Sequence, residues 1–121
     1  QLLAQPGLRS CAVQGALELL KAHRHKQAAD TKLLAEIVRM LSRLDFYKAE
    51  FEPQLLQSSS DFYRQESERL LPSLGLARYL SACDAYVAEE SLLLEMGFLE
   101  AGTMAPLLSR VREELLGRQG E

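Results

Sequence analysis

The stretch Tyr47-Lys48-Ala49-Glu50-Phe51-Glu52-Pro53-Gln54-Leu55-Leu56-Gln57-Ser58-Ser59-Ser60-Asp61-Phe62-Tyr63-Arg64-Gln65-Glu66-Ser67 decides how this chain folds. Its large side chains do not alternate, as a half-buried strand would require; they recur at three and four, the period of a helix with one buried face. Phe51, Leu55, Phe62, Tyr63, Glu66 and Leu70 fall along one side of a helix running from about Phe46 to Leu71. Pro53 fits the first turn of a helix but not its interior, so a start or a kink is expected there. Ser58-Ser59-Ser60 is poor helix material alone. The flanking aromatics keep the period through it, which marks a close-packing stretch inside the helix.

Outward from this segment the same period continues. Toward the N-terminus, Leu33, Leu34, Ile37, Val38, Leu41 and Leu44 form a stripe that Asp30 or Thr31 can cap. Before it, Leu8, Cys11, Ala12, Ala16, Leu19, Leu20 and His23 trace a face that the polar run from His23 to Ala29 interrupts with a turn. Toward the C-terminus, Pro72-Ser73-Leu74-Gly75 reads as a break. Leu76, Tyr79, Leu80, Cys83, Tyr86, Val87, Leu94 and Phe98 then read as a fourth helix ending near Gly97. A fifth starts at Thr103, with Pro106 in its first turn and Leu107, Leu108, Val111 and Leu115 as its stripe. The expected fold is all-α, about five helices in a bundle or solenoid unit.

The 121 residues suffice for one domain, and 47% hydrophobic content against 26% charged allows a packed core. A net charge of -3 argues against a dedicated nucleic-acid binder. No apolar run approaches the roughly 20 residues of a membrane span. The two cysteines, Cys11 and Cys83, fit no metal spacing and read as reduced core thiols, as in a cytosolic or nuclear protein. His23 and His25 have no further ligands nearby, and Lys21, Arg24 and Lys26 read as a small solvated basic patch. The triple serine lacks a histidine at a recognisable spacing, and there is no Gly-rich phosphate loop. No catalytic, cofactor-binding or metal-binding residue is therefore expected. The chain starts at Gln1 rather than methionine and reads as a piece of a longer polypeptide.

Tyr47-Lys48, Phe51-Glu52, Leu56, Phe62-Tyr63, Glu66-Ser67 and Leu71 together resemble the signature of the cullin repeat, the helical module of the stalk in cullin-RING ubiquitin ligases. The likeness enters at Leu33-Leu34 and Met40-Leu41, continues through Tyr79-Leu80 and Glu89-Glu90, and fades through Phe98-Leu99 and Gly102-Thr103. On that resemblance, residues 1–102 are one repeat, similar to the second of the stalk and short of its start, and residues 103–121 are the first helix of the next. The implied role is a non-enzymatic rigid scaffold that holds a substrate receptor at a distance from the RING and E2 end. RING subunit and adaptor would bind outside this segment, neighbouring repeats of the same chain would stack on it, and no membrane or nucleic acid takes part. Tyr47, Phe51, Glu52, Phe62, Tyr63, Glu66 and Ser67 are then structural motif residues; burial of each large aromatic is worth ~2–3 kcal/mol.

Departures from the family pattern stand out at Lys21 to Ala28 and at Ser91-Leu92-Leu93-Leu94. Three consecutive leucines cover most of a helix circumference, so at least one faces outward. Leu92, Leu93 and Leu94 pack against the next repeat or form an extra interface with another domain or subunit. A helical-repeat tether, such as a vesicle-tethering rod without ubiquitin chemistry, is the reading from a different class.

Overall fold

A computed structural model describes residues 6–117. The element order is α1 (Pro6–Arg24), α2 (Thr31–Arg43), a π-helical turn (Tyr47–Phe51), α3 (Glu52–Leu74), α4 (Leu76–Ser91), a 3-10 turn (Ala101–Thr103), α5 (Met104–Arg112) and a second π-helical turn (Glu113–Gly117). Among the described residues there is no strand. Residues 118–121 of the proposed next repeat, and the first five residues of the proposed repeat before it, lie outside the described residues.

The chain ends α1 with His25 and Lys26, the latter at a left-handed φ of 59°. Asp30 then caps α2, its carboxylate accepting from the Leu33 N–H at 3.0 Å. Leu34, Val38 and Leu41 bury that helix, while Leu33 stays exposed. Pro53 accounts for the π-helical turn in front of α3. Its ring would press on the carbonyl of Ala49, and the wider turn, in which the Glu52 N–H reaches back to the Tyr47 carbonyl, relieves that crowding. Buried Leu55, Ser59, Ser60, Tyr63 and Ser67 follow along α3. Ser59 meets Arg24 of α1 and Ser60 meets Arg110 of α5 through their hydroxyls.

α1 packs on α2, α3 meets α1, α4 and α5, and α4 packs on α5. Leu107, Val111 and Leu115 of α5 and its π turn fill the same core as Phe51, Leu55 and Tyr63.

Four expectations are corrected. The helix expected to end near Leu71 runs on to Leu74, and the break falls at Gly75 (φ 77°), the last residue of the expected one: Pro72, so near the C-terminus, forfeits only the bond to the Glu68 carbonyl. The fourth helix stops at Ser91, and residues 92–97 form turns that end at Gly97 (φ 83°). At Gly97 a side chain would also meet the Ala35 Cβ at 3.4 Å. The buried stripe of α1 is Val13, Ala16, Leu20 and Arg24, so Leu8 and Cys11 are exposed and only Cys83 is a core thiol. Arg24, expected in a solvated patch, is buried.

Candidate functional site

Arg24 explains how the helices are joined. It extends the spacing of Val13, Ala16 and Leu20 by one further turn, so it enters the interior where α1 meets α3 and α4. Its guanidinium grips Glu90 of α4 with two bonds, Nε to Oε2 at 3.1 Å and Nη2 to Oε1 at 2.8 Å. Nη2 also donates to the Ser59 Oγ at 2.7 Å, and that hydroxyl donates to the Leu55 carbonyl. The Tyr63 hydroxyl donates to Glu90 Oε2 at 2.5 Å. The rings of Tyr63 and Phe62 lie 5.8 and 5.9 Å from the guanidinium carbon. With side chains only 4% and 3% exposed, the pair is held by bidentate geometry and by hydroxyl partners. Burial, then the Glu90 charge, pushes the Tyr63 phenol far above its ordinary value.

A satellite of this centre lies outward on α3 and α4. Tyr86 donates to Glu66 Oε1 at 2.5 Å, and Arg69 pairs with the same carboxylate at 2.7 Å. Burial pushes the Glu66 carboxyl up, but hydrogen bonds from Arg69 and Tyr86 outweigh it and leave it below the usual range. Burial and the bond to Glu66 raise the Tyr86 phenol.

A second polar centre surrounds Tyr47. The Glu100 N–H donates to its hydroxyl at 3.0 Å, and that hydroxyl lies 2.6 Å from Thr103 Oγ1. Thr103 gives its single proton to Glu52 Oε1 at 3.3 Å, so Tyr47 is the donor to Thr103. Lys48 closes the chain on Glu52 at 3.5 Å. This relay ties the irregular segment before α5 to the π-helical turn before α3. Elsewhere, Tyr79 donates to the Leu115 carbonyl at 2.6 Å and also hydrogen-bonds Ser67, fastening α4 to the last turn.

The motif residues are thus spread through the interior rather than gathered in one cavity. Tyr47, Phe51, Tyr63 and Ser67 are buried, and Glu52, Phe62 and Glu66 are half-buried. Each acid meets a cation or hydroxyl, and each tyrosine hydroxyl crosses between elements. In the leucine run, Leu93 is core, while Leu92 is 51% and Leu94 37% exposed. Arg24 and Thr103 were missed in sequence. Arg24 stood on the 3–4 spacing inside a polar run, whereas Thr103 read only as the start of the last helix, with nothing to point to Tyr47. Among the described residues no group of three His, Cys, Asp or Glu side chains converges to hold a metal ion, and no helix is long and apolar enough to cross a membrane.

These directional bonds pin helix to helix across an all-α unit. A family model described as the cullin alpha solenoid domain matches residues 2–121. Human Cullin-4A is 29% identical over 96% of this chain and 15% of that protein. Mouse Cullin-4A is 31% identical over 91% of this chain and 14% of that protein. Cullin-1 of Schizosaccharomyces pombe is 25% identical over 94% and 16% respectively. The chain belongs to the cullin family, and it spans only about a sixth or less of the length of these relatives.

Proposed function

We propose that this segment is a non-catalytic, rigid scaffold unit of a cullin-RING E3 ubiquitin ligase, holding a substrate receptor at a set distance from the RING and E2 end. The observation that carries the reading is the cullin alpha solenoid match over residues 2–121. The buried Arg24–Glu90–Tyr63 centre gives it a physical basis, because directional bonds across three helices resist bending where an apolar contact alone would slide. A stiff arm raises the effective concentration of a held substrate near the ubiquitin donor without touching it, so stiffness substitutes for chemistry in this part of the molecule.

In this reading RING subunit and adaptor bind outside the segment, and further repeats of the same chain stack on its ends. Residues 103–121 act as the first helix of the next repeat, docked through Leu107, Val111 and Leu115. The protein would work in the cytoplasm, the nucleus or both. The test is affinity purification of the full-length protein with mass spectrometry of its partners. A RING subunit and a receptor adaptor are the expected companions. Tethering or cytoskeletal partners in their place would make the unit a helical-repeat rod and end the ubiquitin assignment.

A further inference from the structure

Two small clefts open on either side of Phe62, where the end of α1 meets α3 and α4. One, of about 210 Å³, is floored by Tyr63 and Leu93 and rimmed by Tyr86, Leu92 and Met96. The other, of about 260 Å³, lies between Lys21 and His25 on one side and Ser58 and Gln65 on the other. Both are smaller than the roughly 300–1,000 Å³ of small-molecule sites, and each suits a side chain or two of a larger partner. The first combines exposed apolar side chains, Leu92 at 51% and Met96 at 42% accessible, with the exposed Lys26–Glu89 ion pair. Methionine and an aromatic wall make an adaptable apolar socket.

Charge decides what fits. Every carboxylate lining the two clefts already has a cation: Glu90 has Arg24, Glu89 has Lys26 at 3.2 Å, and Asp61 has Arg64 at 3.2 Å. Lys21 lines the second cleft with no ion-pair partner among the described residues. His25 and Phe62 lie near-perpendicular with ring centres 5.1 Å apart, and His23 and Phe98 likewise at 5.4 Å. In a chain of net charge -3, residues 21–26 hold three cations and two imidazoles with no acid. Arg24 and Lys26 are spent on Glu90 and Glu89, so the surplus beside the apolar socket is one positive charge, Lys21.

We propose that this double cleft is a docking site for a protein partner that presents an acidic–apolar segment. A leucine- or phenylalanine-like side chain enters the socket at Leu92 and Met96, and a carboxylate or phosphate on the same segment meets Lys21 and His25. The site is independent of the ligase assignment: a tether could use it equally.

The experiment measures fluorescence polarisation of short dye-labelled peptides on the full-length protein, where neighbouring repeats are in place. Peptides alternating leucine or phenylalanine with glutamate are compared with versions carrying lysine for glutamate and serine for the apolar residues. Expected is saturable binding of the acidic–apolar peptide alone, weakening as salt rises. Leu92→Glu and Lys21→Glu should each weaken it by roughly tenfold. Both side chains are exposed, so the thermal midpoint should stay that of the parent and loss of binding is not loss of fold. Equal binding of the lysine peptide, or unchanged binding in Leu92→Glu, overturns the proposal. So does a lack of binding, which is the outcome if the protein's own chain covers the cleft, and so does preference for phosphatidylserine vesicles over the peptide.

Discussion

Two polar centres lie inside this molecule, each organised by a tyrosine hydroxyl, and they differ in where they put charge. At Tyr63 a complete ion pair, Arg24 and Glu90, is sealed from water between three helices. At Tyr47 the relay is one of hydroxyls, and its carboxylate, Glu52, stays at the edge beside an exposed Lys48. The first centre joins Arg24 to side chains 35 and 66 residues further along the chain, on two other helices. The second fastens an irregular connection to the start of α3. The contrast teaches that the strongest pin and the costliest failure coincide, because removing one member of a sealed ion pair strands the other.

The largest expected effect follows from that asymmetry. Glu90→Ala or Arg24→Ala should destabilise by about 3–5 kcal/mol in denaturant unfolding, since the remaining charge is left buried. Pairing Arg24→Met with Glu90→Leu should recover most of the loss. Equal loss in the double variant would mean that packing volume rather than charge governs this corner. Tyr47→Phe removes a donor to Thr103 and an acceptor for the Glu100 N–H, and should cost about 1–3 kcal/mol. A cost as large as that of Glu90→Ala would erase the distinction between the two centres.

The centres also predict a response to pH. The phenols of Tyr47, Tyr63, Tyr79 and Tyr86 are all raised, chiefly by burial, and they are the four tyrosines of the chain. Their contribution is complete below the ordinary phenol value of 10.0 and is lost as pH rises beyond it, because the unfolded chain releases protons that the folded one keeps. Absorbance titration should show phenolate forming only as the fold is lost. A tyrosine titrating near 10 in folded protein would place it in solvent. Glu66 works in the opposite direction. Its lowered carboxyl contributes above the ordinary value of 4.5 and loses that contribution as pH falls through its own, so Glu66→Gln should flatten the acid limb of stability. The smallest effect belongs to the exposed Lys26–Glu89 pair, where Glu89→Ala should cost well under about 1 kcal/mol.

Much of this was legible in sequence, and the reasons are local. Asp30 announces its cap, Pro53 announces irregularity at the head of α3, and the aromatic period carries the helix through Ser58-Ser59-Ser60, two of which are indeed buried. The cullin resemblance was carried by the same stretch. What escaped depended on partners far along the chain. Arg24 reads as solvated until Glu90 is opposite it. The leucine run reads as helix until the turns after Ser91 send Leu93 inward and Leu92 and Leu94 outward. Pro72 reads as a breaker, yet a proline in the last turn forfeits little, and the positive φ at Gly75 is what ends α3.

The central claim is that this unit is a stiff element of a scaffold and that its stiffness comes from the sealed centre. Single-molecule distance distributions between dyes placed on either side of the segment, in the full-length protein, test it most directly. The account predicts one narrow distribution that broadens in Arg24→Ala under conditions where the fold persists. A distribution already broad in the parent protein, or one that Arg24→Ala leaves unchanged, would contradict it.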